Sequence, residues 1–511
     1  MSHKLDLLNS EKIKQFELER IETLPTGYER EPKKGVLTKY LMLSLLVAAF
    51  GSAFQFGFSI AIFNTPSDVI QSFYREVYSD RNGESMPNST LNTYWSITNG
   101  LVPFGGMVGG MFSGFTGDLL GRKNGLLSVN AIVLISTILN VISKYIQSYE
   151  TIMVSRFLTG IYCGLFSGLL PLYLSECPPK NLRGSVGTLN QLSIVTGILV
   201  VNILGLPELL GKADRWPILV GLSLVPALVH ILLVIFPESP KFLYMKKNDV
   251  SGAEKSLVKF RNHDRVLIDE ELEELKEEKA KTADNPHAAW SDFWTIERLR
   301  KPLFVALMIQ VSQQFSGINA VIFYSTGIFK NAGLEGEWPI YGTIILGAVQ
   351  IAMTFVCMAI VDRAGRRILL LTGMIGMCIS SFMLALTRIF SDKVEWLNYM
   401  TVVSAVFYII FFSIGPGAIP WLITGELFGS DSRGKATSIA VFVNWLSNFI
   451  VTVTFPFIET AIGSYSFIVF GVLLIFFSLF MLFFVPETKH KPIEEINDMF
   501  KRKTIFFPSS K

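Results

Sequence analysis

The sequence predicts an all-α polytopic membrane protein, with twelve transmembrane helices in two six-helix halves and a helical linker between them. Three observations carry this reading. Half of the 511 residues are hydrophobic and only 17% are charged, where a soluble globular chain carries about 25%; the mean hydropathy is +0.43. The apolar residues gather in blocks of about 20, the length a helix needs to cross a bilayer. Short charged motifs in the first half also recur in the second at a nearly constant offset.

Taken in order, 1–38 is a polar N-terminal segment mixing Lys, Arg and Glu, with no signal-peptide pattern, so the first span is expected to direct insertion itself. The N-terminal half, 39–236, holds apolar blocks at 40–63, 92–116, 125–146, 150–174, 185–206 and 216–236. Residues 237–301 change composition. Their "IDEELEELKEEKAKTADNPH" is charged and helix-favouring, and reads as a linker of short soluble helices or as a solvated loop. The C-terminal half, 302–485, has blocks at 302–329, 339–361, 368–390, 398–424, 436–458 and 465–485, and 486–511 is a short tail. Backbone polar groups in hydrocarbon must be paired within their own segment, so each block reads as a helix. Cys163, Cys177, Cys357 and Cys378 lie in or at the ends of these blocks, and no disulfide framework is expected.

Lys and Arg in short loops set the orientation. Arg122, Lys123, Lys180, Arg183, Arg363, Arg366, Arg367, Arg433 and Lys435 all fall on one side, together with the linker and both termini. That side is expected to be cytoplasmic. The longest opposite loop, 64–91, contains Asn88-Ser89-Thr90, a glycosylation sequon on the face expected outside.

The repeat is specific in residue, order and spacing. "ECPPKNLRG" at Glu176 matches "ELFGSDSRG" at Glu426, 250 residues on; "GDLLGRK", with Asp118 and Arg122, matches "VDRAGRR", with Asp362 and Arg366, 244 on; "PES" at Pro237 matches "PET" at Pro486, 249 on. Six plus six helices in one orientation is the parallel-repeat plan of major facilitator transporters, with a substrate site near the bilayer midplane. Glu176 with Arg183, and Glu426 with Arg433, bracket helix ends on the linker side. Two readings stand for these charges. They are interfacial anchors and topology signals, or they form ion pairs that hold the halves together on the inside and part when it opens.

The seventh span carries Gln310, Gln313, Gln314 and Asn319 inside an apolar run. Such amides either brace a neighbouring helix or line a cavity. At about 100° per residue the three glutamines share a face. Asn319 joins them only if the helix breaks, and Ser316-Gly317 is the place for that. Carboxamides suit polyhydroxylated molecules, because each offers an acceptor and two donors to hydroxyls that also do both. Trp421 and Trp445 offer flat apolar faces for the C–H side of a pyranose, with an indole N–H as a polar handle; Trp421 also reads as an interface anchor. "GPGAIPW" before Trp421 predicts a kink. No Asp or Glu lies deep in any span, and intramembrane carboxylates mark proton relays, so passive carriage is expected. No P-loop, metal-ligand cluster or nucleophile constellation appears; neither an enzyme, a cofactor nor a nucleic-acid partner is expected.

Together "QQFSGINAVIFYS", "GRK", "VDRAGRR", "PESPKFLY", "GPGAIPW", "ELF", "NWLSNF" and "PETK" resemble the facilitative glucose transporter family, the sugar porters of the major facilitator superfamily, from about Lys39 to Lys489. The resemblance implies sugar contacts at Gln191, Gln313, Gln314, Asn319, Trp421, Asn444, Trp445 and Asn448, and at Gln350, where the family usually has Asn. It implies a gate at Tyr324. It also implies a cytoplasmic charge network of Arg156, Glu176, Arg183, Glu238, Arg363, Glu426 and Arg433, which the repeat extends to Arg122, Asp362 and Arg366. Proton-coupled relatives carry an Asp where this chain has Ser59. The family's Glu before "GPG" is Ser413 here, which implies one carboxylate fewer in that network. Glucose-preferring members read Gln-Leu-Ser where this chain has Gln310-Val311-Ser312, a departure that loosens the expected selectivity. The resulting expectation is facilitative hexose transport, D-glucose first, across the plasma membrane by alternating access, with the sugar and the bilayer as partners. The rivals are a fructose, broader hexose or dehydroascorbate carrier, a proton-coupled sugar symporter, and a sugar sensor that does not transport.

Overall fold

The computed structural model describes residues 35–284, 289–391, 396–429, 432–489, 491 and 493–501. Every regular element among them is helical. Six helices cross in each half: Lys39–Ala61, Asn88–Leu119, Arg122–Tyr145, Tyr149–Glu176, Lys180–Leu204 and Trp216–Ile235, then Glu297–Asn331, Trp338–Ala364, Arg366–Phe390, Trp396–Glu426, Arg433–Ile462 and Ser466–Phe484. They are numbered here as the first to twelfth spans. The second is the least apolar, because Asn92, Asn99 and a run of glycines dilute it.

Those glycines have a packing use. Gly105 and Gly109 on the second span face Gly160 and Gly164 on the fourth. A Cβ at any of the four would sit 2.0–2.3 Å from a carbonyl oxygen of the other helix. Small residues four apart let two backbones touch, the main way helices bind tightly where lipid is as apolar as Leu. Gly106 and Gly110, on the second span's other face, receive Trp445 and Val441 of the eleventh span. One helix thus joins its own half through one glycine pair and the opposite half through another.

The first span carries a π-helical turn at Phe50–Phe54 and the sixth is interrupted at Leu222–Ser223, and in the C-terminal half two spans break. The seventh divides into Glu297–Phe315 and Ile318–Asn331 around Gly317. Gly317 has φ +90°, a conformation that only glycine adopts at no steric cost, and its Hα face lies against the Phe470 ring. The tenth divides into Trp396–Ile414 and Ile419–Glu426, the break falling across the "GPGA" of the predicted kink.

The linker forms helices Pro240–Met245, Val250–Phe260, Arg265–Asp284 and Asp292–Thr295. Buried Arg261 fastens it to the N-terminal half, giving N–H bonds of 3.0 Å to the Cys177 carbonyl and pairing with Glu271 at 2.8 Å. Lys180–Glu274 at 2.7 Å adds an exposed tie. A tail helix, Ile493–Lys501, buries Ile496 and Phe500 in the core of the C-terminal half. The bilayer face carrying these elements is called the linker side below, and the opposite face the far side.

Candidate functional site

Between the halves lies a cavity of about 100 Å³, lined by Gln191, Gln313, Gln314, Asn319, Gln350, Trp421, Asn444, Trp445 and Asn448. All nine residues expected to meet sugar therefore share one wall system. Its polarity is lopsided. The C-terminal half supplies the amides, and the N-terminal half supplies Phe56, Ile60, Phe166, Ile194 and Ile198 with only Gln191, Asn190 and Ser167 among them. Asn190 and Ser167 escape sequence reasoning, because a single Asn beside a Gln and a single Ser in an apolar span carry no pattern.

The amides form a continuous chain. Gln313 Nε2 donates to the Pro416 carbonyl at 2.7 Å and the Gly417 carbonyl at 3.1 Å. Asn444 Nδ2 donates to both Gln313 Oε1 and Gln310 Oε1, each at 2.7 Å. Gln314 Nε2 donates to Asn444 Oδ1 at 2.9 Å, and Asn319 Nδ2 donates to Gln314 Oε1. Gln310 stands behind the wall rather than on it, reaching the Pro420 carbonyl and Thr424 hydroxyl at 3.4 Å. The break at Gly317 is what lets Asn319 turn back toward Gln314.

The two tryptophans divide their work. Trp445 is 3% exposed and belongs to the core of the opposite half. Its ring lies over Gly106 and 5.6 Å from the Phe56 ring, and its Nε1 donates to Ser167 Oγ at 3.3 Å. The indole N–H expected as a sugar handle is thus engaged within the protein, and Trp421, half-buried on the cavity wall, keeps the accessible apolar face.

The far side is closed over this cavity. Tyr324 OH donates to the Thr452 carbonyl at 3.1 Å and its ring packs 5.5 Å from Phe455. Phe323, from the C-terminal half, is buried in the far-side core of the N-terminal half. Asn64 Nδ2 reaches Ser325 Oγ at 3.1 Å across the halves, and Lys330 pairs with Asp68 at the surface. On the linker side Asn190, Gln191 and Trp421 are part-exposed, and Gly425 and Gly434 face open space.

The charged repeat builds the same device twice. Arg122 grips Glu176 with two bonds of 2.9 Å, and Ser239 Oγ adds a third at 2.5 Å. Arg366 Nε meets Glu426 at 3.1 Å, and Thr488 supplies the matching hydroxyl. Glu238 accepts from the Arg122 and Lys123 amides at 3.0 and 2.9 Å, and Glu487 from those of Arg366 and Arg367 at 2.9 and 3.1 Å. A carboxylate there satisfies orphan N–H groups and opposes the positive end of the helix dipole. This is the physical content of the repeated "PES" and "PET".

Four expectations need correction. These pairs each join helices of one half, so they stiffen the halves rather than tie them to each other. Arg156 does not belong to this network. It lies 20 residues before Glu176 on one helix, about 30 Å away at 1.5 Å per residue. It is 1% exposed, donates to the Ser59 carbonyl at 2.7 Å and the Ile60 carbonyl at 3.5 Å, and covers the Phe63 ring. Those carbonyls end the helix Gln55–Ala61, whose C-terminal dipole favours a cation. Ser413 sits beside Phe412 of the cavity wall, inside the tenth span, and so has no place in a linker-side network. Arg363 is exposed, and among the described residues only its carbonyl is used, by Lys489 at 2.8 Å. Arg183 donates to the Pro178 carbonyl at 3.4 Å, and one bond of Arg433 goes to the Phe428 carbonyl at 3.2 Å; the Asp362 side chain lies outside the described residues.

Comparison with known proteins agrees with this architecture. The profile of the family described as "Sugar (and other) transporter" matches residues 44–500. The facilitated glucose transporter member 4 of Bos taurus is 39% identical over 490 residues, covering 94% of this chain and 95% of that one. Member 5 of Rattus norvegicus is 40% identical over 477 residues, covering 93% and 94%. Among solved structures, the proton:xylose symporter XylE bound to 6-bromo-6-deoxy-D-glucose superposes with a TM-score of 0.76 at 26% identity, over 91% of this chain and all of that one. The duplicated six-helix halves, the amide-lined cavity between them and these matches across nine-tenths of the chain place the protein in the sugar transporter family.

Proposed function

We propose that this chain is a facilitative uniporter of hexose, D-glucose first, at the plasma membrane, with the linker and both termini in the cytoplasm. The observation that carries the reading is the cavity itself. It joins hydrogen-bonding amides on one wall to apolar side chains on the other, with Trp421 part-exposed between, and no carboxylate is among the residues that line it. Hydroxyls pair with amides, and the C–H face of a pyranose pairs with an indole. Each neutral hydrogen bond is worth about 0.5–1.5 kcal/mol net, so a handful gives binding weak enough for release.

Gln191, Gln313, Gln314, Asn319, Gln350, Asn444 and Asn448 are assigned to the sugar hydroxyls, Trp421 to the ring face, Trp445 to the wall between the halves, and Tyr324 to the outer gate. The state described is then inward-facing, and Asn88, exposed on the far side, is the glycan acceptor. Transport runs by rocking of the stiffened halves about the fixed site.

The test is uptake of labelled D-glucose into liposomes holding the purified protein, with and without a pH gradient, and with unlabelled fructose as competitor. Saturable uptake that stops at equilibrium and ignores the gradient is expected. Accumulation above equilibrium driven by protons would replace uniport with symport; sugar binding without uptake would make the chain a sensor.

A further inference from the structure

Pro420 lies on the helix behind the cavity wall and touches none of its space, yet the hydrogen-bond chain begins with it. The i to i+4 pattern persists beside the break, where the Ile419 amide donates to the Gly415 carbonyl at 3.3 Å, and the next bond in that pattern would bring the amide of residue 420 to the Pro416 carbonyl. That residue is Pro420, which has no N–H. The Pro416 carbonyl lacks that donor, and Gln313 Nε2 takes it at 2.7 Å, together with the Gly417 carbonyl at 3.1 Å.

A carbonyl oxygen only accepts, so Gln313 must present its NH₂ to the tenth span and its Oε1 to the eleventh. Gln310 is held the same way round by the Pro420 carbonyl. Asn444 then meets two acceptors, Gln310 Oε1 and Gln313 Oε1, and must turn both of its N–H groups to them. Its Oδ1 faces Gln314 Nε2, which turns Gln314 Oε1 to the Asn319 amide. Asn319 is left with its Oδ1 and one N–H at the cavity wall.

We infer that Pro420 is a positioning residue for substrate recognition: by removing one backbone N–H it bares the nearer of the two carbonyls that set the donor–acceptor sense of Gln313, and so reinforces the relay that leaves Asn319 Oδ1 as an acceptor for the substrate. The inference rests on the hexose reading above. Its chemical consequence is that the sugar hydroxyl meeting Asn319 Oδ1 acts as a donor.

The experiment compares D-glucose with its monodeoxy and monodeoxyfluoro analogues, position by position, as competitors of labelled D-glucose uptake in liposomes. Fluorine accepts weakly and cannot donate. In the wild-type protein, one position should lose affinity equally with H or F in place of OH. Pro420→Ala supplies the missing N–H to the Pro416 carbonyl and leaves the Gln313 amide held only by the longer bond to the Gly417 carbonyl, so that it turns more readily. At that position the fluoro analogue should then regain affinity over the deoxy analogue by about two- to tenfold, the worth of one net hydrogen bond.

Gln310→Met removes one of the two acceptors that orient Asn444, off the cavity wall, and should move the same ratio in the same direction by less. It decides the matter if Pro420→Ala does not fold. A merely structural role for Pro420 or Gln310 would change protein yield or maximal rate and leave the fluoro-to-deoxy ratio where it was, which would overturn the inference. Failure of the wild-type protein to take up glucose would instead overturn the hexose reading.

Discussion

Gln191→Leu and Gln313→Leu remove the same group from the same cavity and should fail in different ways. Gln191 is half-buried and makes no hydrogen bond to the described residues, so its amide is spent on the ligand. Its loss removes one or two net hydrogen bonds of about 0.5–1.5 kcal/mol each, which is about 2- to 12-fold in apparent glucose affinity per bond at about 1.4 kcal/mol per decade. Fold stability should be untouched. Gln313 is buried, and its removal leaves the Pro416 carbonyl and an Asn444 N–H without their partner. Each buried orphan costs about 1–3 kcal/mol, so the pair costs about 2–6 kcal/mol before any rearrangement, a large share of the 5–15 kcal/mol that typically separates folded from unfolded. The assay is thermal unfolding of the purified proteins in detergent, run beside glucose-competition uptake. Gln191→Leu should melt with the wild type and bind sugar more weakly; Gln313→Leu should melt clearly lower. A Gln313→Leu protein as stable as wild type would show that the relay does not brace the wall.

Four further outcomes follow from the geometry. Glu238→Ala strips the cap from the third span, where it accepts from the Arg122 and Lys123 amides, and should lower thermal stability by about 1–3 kcal/mol without changing sugar affinity; a shift in affinity alone would argue against a capping role. Ser59→Asp places a carboxylate on the residue whose carbonyl receives Arg156. Glucose uptake by that variant should become pH-dependent, and a flat pH profile would separate this pair from proton coupling. Asp68→Asn breaks the surface pair with Lys330, worth at most about 1 kcal/mol. It should raise labelling of Ser325→Cys by an impermeant thiol reagent from the far side by up to about fivefold, with the Asp68→Lys, Lys330→Asp exchange restoring the original rate. Asn88→Gln should remove the glycan and sharpen the band on a gel, and an unchanged mobility would place the sequon on an unmodified surface.

The fold was legible because hydrocarbon leaves the backbone little choice. Apolar blocks of spanning length must be helices, and a charged motif repeated at a fixed offset must be two copies of one unit. The seventh-span break was legible at Ser316-Gly317 for the same local reason, a glycine where three amides needed a fourth. The cavity residues were legible as polar groups that had no excuse for being in lipid. What the sequence could not show is direction. Arg156 reads as one more charge on a helix that ends in Glu176, and only the packed structure reveals that its partner is the end of the first span. Trp421 and Trp445 are the same residue type near the same site, yet one faces the cavity and the other is locked in the opposite half by glycines 335 or more positions away in sequence. The pairing of amide donors with acceptors is equally invisible, because it depends on which carbonyl a missing proline N–H leaves bare.

The distribution of strong and weak ties bears on how such a molecule moves. Within each half the charged clamps are duplicated, shielded and hydrogen-bonded through several atoms, as Arg122 is to Glu176 and Glu238 to the helix end. Breaking a buried pair by losing one partner costs about 3–5 kcal/mol, so each half resists internal distortion. The polar ties that close the far side between the halves are of another order: an exposed Lys330–Asp68 pair and single hydrogen bonds such as Asn64 to Ser325, each worth about 1 kcal/mol or less to little more. Apolar packing of Phe323 and Tyr324 adds to the seal, but it is non-directional and can be remade with other apolar partners. A carrier that rocks as two bodies needs this inequality. If the clamps and the seal were of equal strength, the energy that opens the far side would be as free to unravel a helix end as to part the halves, and the cavity would lose the fixed geometry on which its recognition of hydroxyls depends.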